Sequence, residues 1–133
     1  MPFQDTTFNA DLNIIGHSVR MARPVDMAHL ARYTGGDAAL NAEVLSLFDG
    51  QVNELVARLN SILEARDQKS WKEITHTLKG AARGIGAFGF ADAAAAAEPF
   101  DLAGQADEAG RALADLRSNA EAVQIFIRAY LGR

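Results

Sequence analysis

Between residues 38 and 65 apolar side chains return every three or four positions: Leu40, Val44, Leu47, Phe48, Val52, Leu55, Leu59, Ile62 and Leu63. That is the period of a helix with one buried stripe. No stretch of the chain alternates apolar and polar residues over the length of a strand, and β-branched residues are scattered among alanines and leucines. The chain therefore reads as all-α.

The rest of the chain supplies partners for that helix. Pro24 precedes a short helix, "VDMAHLARY", which Gly35 and Gly36 end. Asp37 is placed to cap the helix over 38–65. After the polar turn "ARDQK", Ser70 and Glu73 fit a capping box and predict a helix starting at about 70. Its core side carries Trp71, Ile74, Leu78, Ala81, Ala82, Ile85 and Phe88, with Gly84 and Gly86 placed to end or bend it. "FADAAAAAE" predicts a fourth helix of small residues, stopped or kinked by Pro99. A last helix over 105–131 buries Leu113, Leu116, Ala120, Val123, Ile127 and Leu131. Four substantial amphipathic helices with short loops predict an antiparallel four-helix bundle with a short additional N-terminal helix. The bundle domain is expected over 25–133. Residues 1–24 are weakly patterned, either an extended arm or a short helix around 11–21.

The face of the third long segment opposite its core stripe is unusual. His76 lies two residues from both Ile74 and Leu78, so it points outward. Lys69, Lys72, Lys79, Gly80 and Arg83 stand three, four or seven positions away, on the same face. Net charge is -4, yet four cations surround one imidazole. They favour the uncharged, nucleophilic ring and would stabilise an anionic group attached to it. Gly80 is costly inside a helix, by about 1 kcal/mol relative to Ala. Lacking a side chain, it lets another molecule's backbone come close. Singly, each feature has a plainer reading: a solvated histidine, a solvated charged stripe, a packing glycine. Together, "HTLKG" followed by Gly86 is a pattern that solvation alone does not require.

Composition removes several other chemistries. The chain has 133 residues, 49% hydrophobic and 23% charged, the make-up of one globular domain. With no cysteine, disulfide and thiol chemistry are excluded. His17, His29 and His76 lack metal-ligand spacing, so no metal site is expected. No "GxxxxGK" loop predicts an ATP site, and no compact carboxylate cluster predicts bound Mg²⁺. Ser46, Ser61, Ser70 and Ser118 have no triad context. The basic stripe is short, without interleaved aromatics, on an acidic chain, so nucleic acid is not the expected partner. The longest run of small apolar residues, Ala93 to Ala97, is far short of a membrane span, and the first residues show no secretory pattern. The expected location is the cytoplasm.

The stretch His76, Thr77, Leu78, Lys79, Gly80, Ala81, Ala82 and Gly86 resembles the signature of histidine-containing phosphotransfer (HPt) domains. The resemblance extends upstream to "VDMAHLARYTGGDAALNAEVLSLF" and downstream to "AAAAAE", over roughly 25–130. It implies a four-helix bundle and a relay of phosphoryl groups in two-component signalling. The partners it implies are response-regulator receiver domains and a sensor histidine kinase. His76 would be the phosphoacceptor, Lys79 would touch phosphoryl oxygens, and Glu98 would approach the histidine from the neighbouring helix. Lys72, Gly80, Arg83 and Gly84 would belong to the docking face. The chain would be a monomeric carrier rather than an enzyme, without a cofactor of its own; Mg²⁺ is expected on the receiver alone. Two alternatives remain open from the residues: a helical module that binds a receiver or kinase without transferring anything, and the dimerisation domain of a histidine kinase.

Overall fold

The computed structural model describes residues 23–133; the arm or helix expected within 1–24 lies almost wholly outside the described residues. Within them the chain is all-helical, with no strand. The helices are α1 (Met27–Thr34), α2 (Ala38–Ala65), α3 (Gln68–Ile85), α4 (Phe88–Ala97) and α5 (Ala106–Leu131). α2 packs on α3, α3 on α4, α4 on α5, and α5 back on α2, closing a ring around one core; α1 leans on α2 and α3.

Local chemistry sets the ends of the helices. Asp26, Asp37 and Asp67 each accept a hydrogen bond from an amide three residues on and so start α1, α2 and α3. The third of these corrects the Ser70–Glu73 capping box. The aspartate one turn earlier does the capping, and Ser70 is the donor, its amide 3.2 Å from Asp67 Oδ1. Hydrogen bonds from the Ser70 side chain and amide hold the Asp67 carboxyl below its ordinary range. At the other end, α3 closes on Gly86 in the left-handed conformation (φ 86°), with Ala87 N–H donating to Ala82 O at 2.8 Å. Gly84, read as a possible breaker, is helical; the break belongs to Gly86 alone.

Gly86 also takes a close neighbour. Asp26 N–H donates to its carbonyl at 2.9 Å, tying α1 to the end of α3. A Cβ at 86 would sit 2.7 Å from Asp26 O. Gly86→Ala therefore combines a left-handed alanine with a backbone clash. It is expected to destabilise by about 2 kcal/mol or more, measured by urea denaturation. A neutral result would show that the α1–α3 junction yields freely.

The core contains Trp71, Leu78, Phe90, Leu102, Leu116 and Ile127, all essentially without solvent contact. On α2 the buried line runs through Asn41, Leu45, Phe48, Val52, Val56, Leu59 and Ile62. It is rotated from the stripe expected over 38–65. Leu40 and Leu47 are exposed, while Val44, Leu55 and Leu63 are half-buried. The helix has more apolar positions than its packing can cover. Asn41 joins the buried line because it is satisfied there, accepting from the Thr34 hydroxyl and donating to Tyr130 Oη. Phe88, assigned to the α3 core side, starts α4 and is exposed; Leu131 is only half-buried.

Candidate functional site

α4 is short and nearly all small residues, with Ala91, Ala93, Ala94 and Ala97 buried. Methyl groups at the contact allow two helix axes to approach closely. The end of α4 is fastened to the start of α3. Trp71 Nε1–H donates to Ala97 O at 2.9 Å in the core. Gln68 works just beyond, donating to Phe100 O at 3.0 Å and accepting from Leu102 N–H at 2.7 Å. Between these anchors stand Glu98 and Pro99. Proline cannot supply the next helical amide, so the chain turns there and leaves Glu98 facing α3.

Glu98 bridges two side chains of α3. Its Oε1 accepts from Lys79 Nζ at 2.8 Å, and its Oε2 lies 3.4 Å from His76 Nδ1. Lys72 Nζ approaches the Glu98 backbone carbonyl at 3.5 Å. The hydrogen bond from Lys79, supported by the charges of Lys79 and His76, holds the Glu98 carboxyl below the usual range against the opposing effect of partial burial. His76 remains 68% exposed, Lys79 20% and Glu98 26%. The ring is thus open to solvent, while its carboxylate and ammonium neighbours are partly sheltered. A carboxylate beside Nδ1 favours the tautomer that carries its proton there, leaving the Nε2 lone pair available.

A depressed carboxyl stabilises the folded state above its ordinary titration range, and that contribution is lost as the pH falls through the depressed value. A ¹³C titration of the Glu98 carboxyl should therefore give a midpoint below that of an unperturbed glutamate. A midpoint at or above the ordinary value would mean that Lys79 does not hold Glu98 in solution.

At about 100° per residue, the remaining candidates fall on two sides of His76. Lys72 and Lys79 lie toward α4. Gly80 and Gly84 lie toward α2, exposed, and a Cβ at either would meet nothing within 4 Å. Arg83 is exposed almost directly above the ring and makes no ion pair among the described residues. Past the glycines the surface dips into a groove between α3 and α2, lined by Val44, Leu47, Phe48, Leu55, Ala81 and Ile85, with Gln51 and Glu54 at its rim. Sequence reasoning placed Leu47 in the core and so missed this groove. It also missed Gln68, which nothing in its sequence setting singles out. Among the described residues no three His, Asp or Glu side chains gather as metal ligands, and no helix is long and apolar enough to cross a membrane.

Comparison with protein-family models matches residues 43–125 to the Hpt domain. Neither the curated proteins nor the solved structures searched gave a match.

Proposed function

The chain belongs to the Hpt domain family, and on that premise we propose that it relays phosphoryl groups through His76, taking them from one partner and giving them to another. The partners of this reading are receiver-domain aspartates, or a sensor histidine kinase on the donor side. The observation that carries it is the exposed His76 ring with the Glu98 carboxylate at Nδ1. The closed ring of α2 to α5 supports the matching architecture, an antiparallel four-helix bundle.

The chemistry balances without a further proton carrier. The Nε2 lone pair attacks phosphorus in the partner's aspartyl phosphate. The P–O bond to the aspartate breaks, and its electron pair leaves on the carboxylate. The new N–P bond makes the ring a cation that still holds its proton on Nδ1, and Glu98 offsets that charge. In the next transfer a receiver carboxylate attacks phosphorus, the N–P bond breaks, and its pair returns to Nε2. His76 is then neutral again with the same proton in place. Lys79, already 2.8 Å from Glu98, is within one helical turn of the ring and can turn to the phosphoryl oxygens. Arg83 can add to their stabilisation. Activation of the aspartate, with any Mg²⁺, belongs to the receiver.

The test needs no cognate partner. Incubation with phosphoramidate, followed by intact-mass and peptide mass spectrometry, should give one acid-labile phosphoryl group on His76 that an added receiver domain removes. Equal labelling of His17 and His29 would favour a binding module that does not transfer. The open space at Gly80 has its own test. Gly80→Gln should keep the melting curve while slowing exchange with a receiver by tenfold or more. An unaltered exchange rate would remove docking as the reason for that glycine.

A further inference from the structure

At the start of α3, Gln68, Trp71 and Lys72 stand three and four positions apart on one face and reach the chain that leaves α4. Trp71 takes Ala97 O at 2.9 Å, and Lys72 approaches Glu98 O at 3.5 Å. Gln68 makes two bonds: its Nε2–H donates to Phe100 O at 3.0 Å, and its Oε1 accepts from Leu102 N–H at 2.7 Å. We propose that Gln68 is a positioning residue for His76: it fixes the turn that carries Glu98 to the ring and so sets how fast the ring takes a phosphoryl group.

Gln68 touches no reacting atom. It stands eight residues before His76 on α3, roughly 12 Å along the axis. Its effect passes through the backbone of 98–102, which holds itself weakly. Pro99 has no amide to donate, and Phe100 N–H reaches Ala97 O only at 3.4 Å. Beyond the turn the chain is firm again, since Asp101 O takes the amides of Gly104 and Gln105 at 3.2 and 2.7 Å. Among the backbone groups of 98–100, Phe100 O has the shortest hydrogen bond, and Gln68 supplies it. Through Leu102 N–H the same amide holds a residue whose side chain has no solvent exposure. The clamp itself is well seated. Gln68 is half-buried, uses both ends of its amide, and is the first residue of α3, directly after the Asp67 cap. A group built on a capped helix is held more precisely than one on a loop. Precision matters here because Glu98 Oε2 is 3.4 Å from His76 Nδ1. That is the long edge of hydrogen bonding, so a small outward shift of the turn takes the carboxylate out of reach. The link from Gln68 to the rate rests on the proposed function; the link from Gln68 to Glu98 does not.

Two variants of the full chain test this. Gln68→Met keeps the length of the side chain and loses both bonds; Gln68→Asn keeps the amide but withdraws it by one methylene. Circular dichroism checks that each is folded. In both, the ¹³C midpoint of the Glu98 carboxyl should rise toward the ordinary glutamate range. The ¹⁵N shifts of the neutral His76 ring should show the Nδ1–H tautomer giving way to Nε2–H. Phosphoramidate labelling of His76 should slow about tenfold, the scale set by a small misplacement of a reacting group. A residue serving stability alone would lower the melting temperature and leave the midpoint and tautomer of the folded chain unchanged; that result in either variant overturns the proposal. If one variant does not fold, the other decides, and if neither folds, Gln68 is a structural residue and the proposal falls. A moved midpoint with an unaltered labelling rate overturns the link to rate. The NMR readouts need no phosphoryl donor, so the two readings fail separately. A native chain that takes no label sinks the proposed transfer, while the midpoint and tautomer still decide whether Gln68 positions Glu98.

Discussion

Substituting His76→Gln is expected to reduce phosphoramidate labelling from one phosphoryl group per chain to background while leaving the fold intact. Glutamine keeps a polar side chain of similar reach but has no lone pair suited to attack phosphorus. The side chain is 68% exposed. Surface substitutions of this kind usually change stability by no more than about 0.5 kcal/mol. Intact-mass spectrometry and a thermal melt on the same sample measure both halves. Label persisting in the variant would move the acceptor elsewhere. A steep fall in melting temperature would mean that the ring is part of the packing, contrary to its exposure.

The largest structural effect should come from Trp71→Ala. The indole has no solvent exposure and donates to Ala97 O. Truncating a buried Trp costs about 3–5 kcal/mol, and Ala97 O keeps only its longer hydrogen bond, from Phe100 N–H at 3.4 Å. Against the roughly 5–15 kcal/mol of a typical domain, the variant is expected to be largely unfolded in mild denaturant. Trp71→Phe separates packing from positioning. It keeps a buried aromatic but drops the hydrogen bond that fixes the end of α4. That variant should stay folded, with phosphoramidate labelling slowed and the Glu98 titration moved toward the ordinary glutamate range. A folded Trp71→Phe chain with an unchanged Glu98 midpoint would show that Gln68 and Pro99 hold the carboxylate without help from the indole.

Much of this arrangement was legible before any coordinates, for specific reasons. Aspartate at 37 and glycine at 35 and 86 are local signals that tertiary packing did not override. The histidine face was legible because α3 is strongly two-sided, so outward positions could be counted from Ile74 and Leu78. α2 was harder: with apolar residues on more than half its circumference, periodicity could not say which line would be buried. Asp67, inside the polar turn, caps α3 in place of Ser70 because both residue types can accept from the first helical amides. Glu98 was found through the family likeness rather than through spacing, since it reaches His76 across a helix boundary. Counting neighbours along one helix gave four cations around the ring. Folding adds a carboxylate and draws Lys79 onto it, so the local field is more balanced than the linear pattern implied.

The alanine face of α4 has a consequence beyond close packing. Ala94 and Ala97 are fully buried on the helix whose end carries Glu98 to 3.4 Å from His76. Adding even one carbon there would push the two helices apart and draw the carboxylate away from the ring. Every solvent-facing residue of the site would stay the same. The spacing of His76 and Glu98 is therefore expected to follow interior volume. Two chains with identical surfaces around the histidine would then differ in how closely the carboxylate approaches the ring.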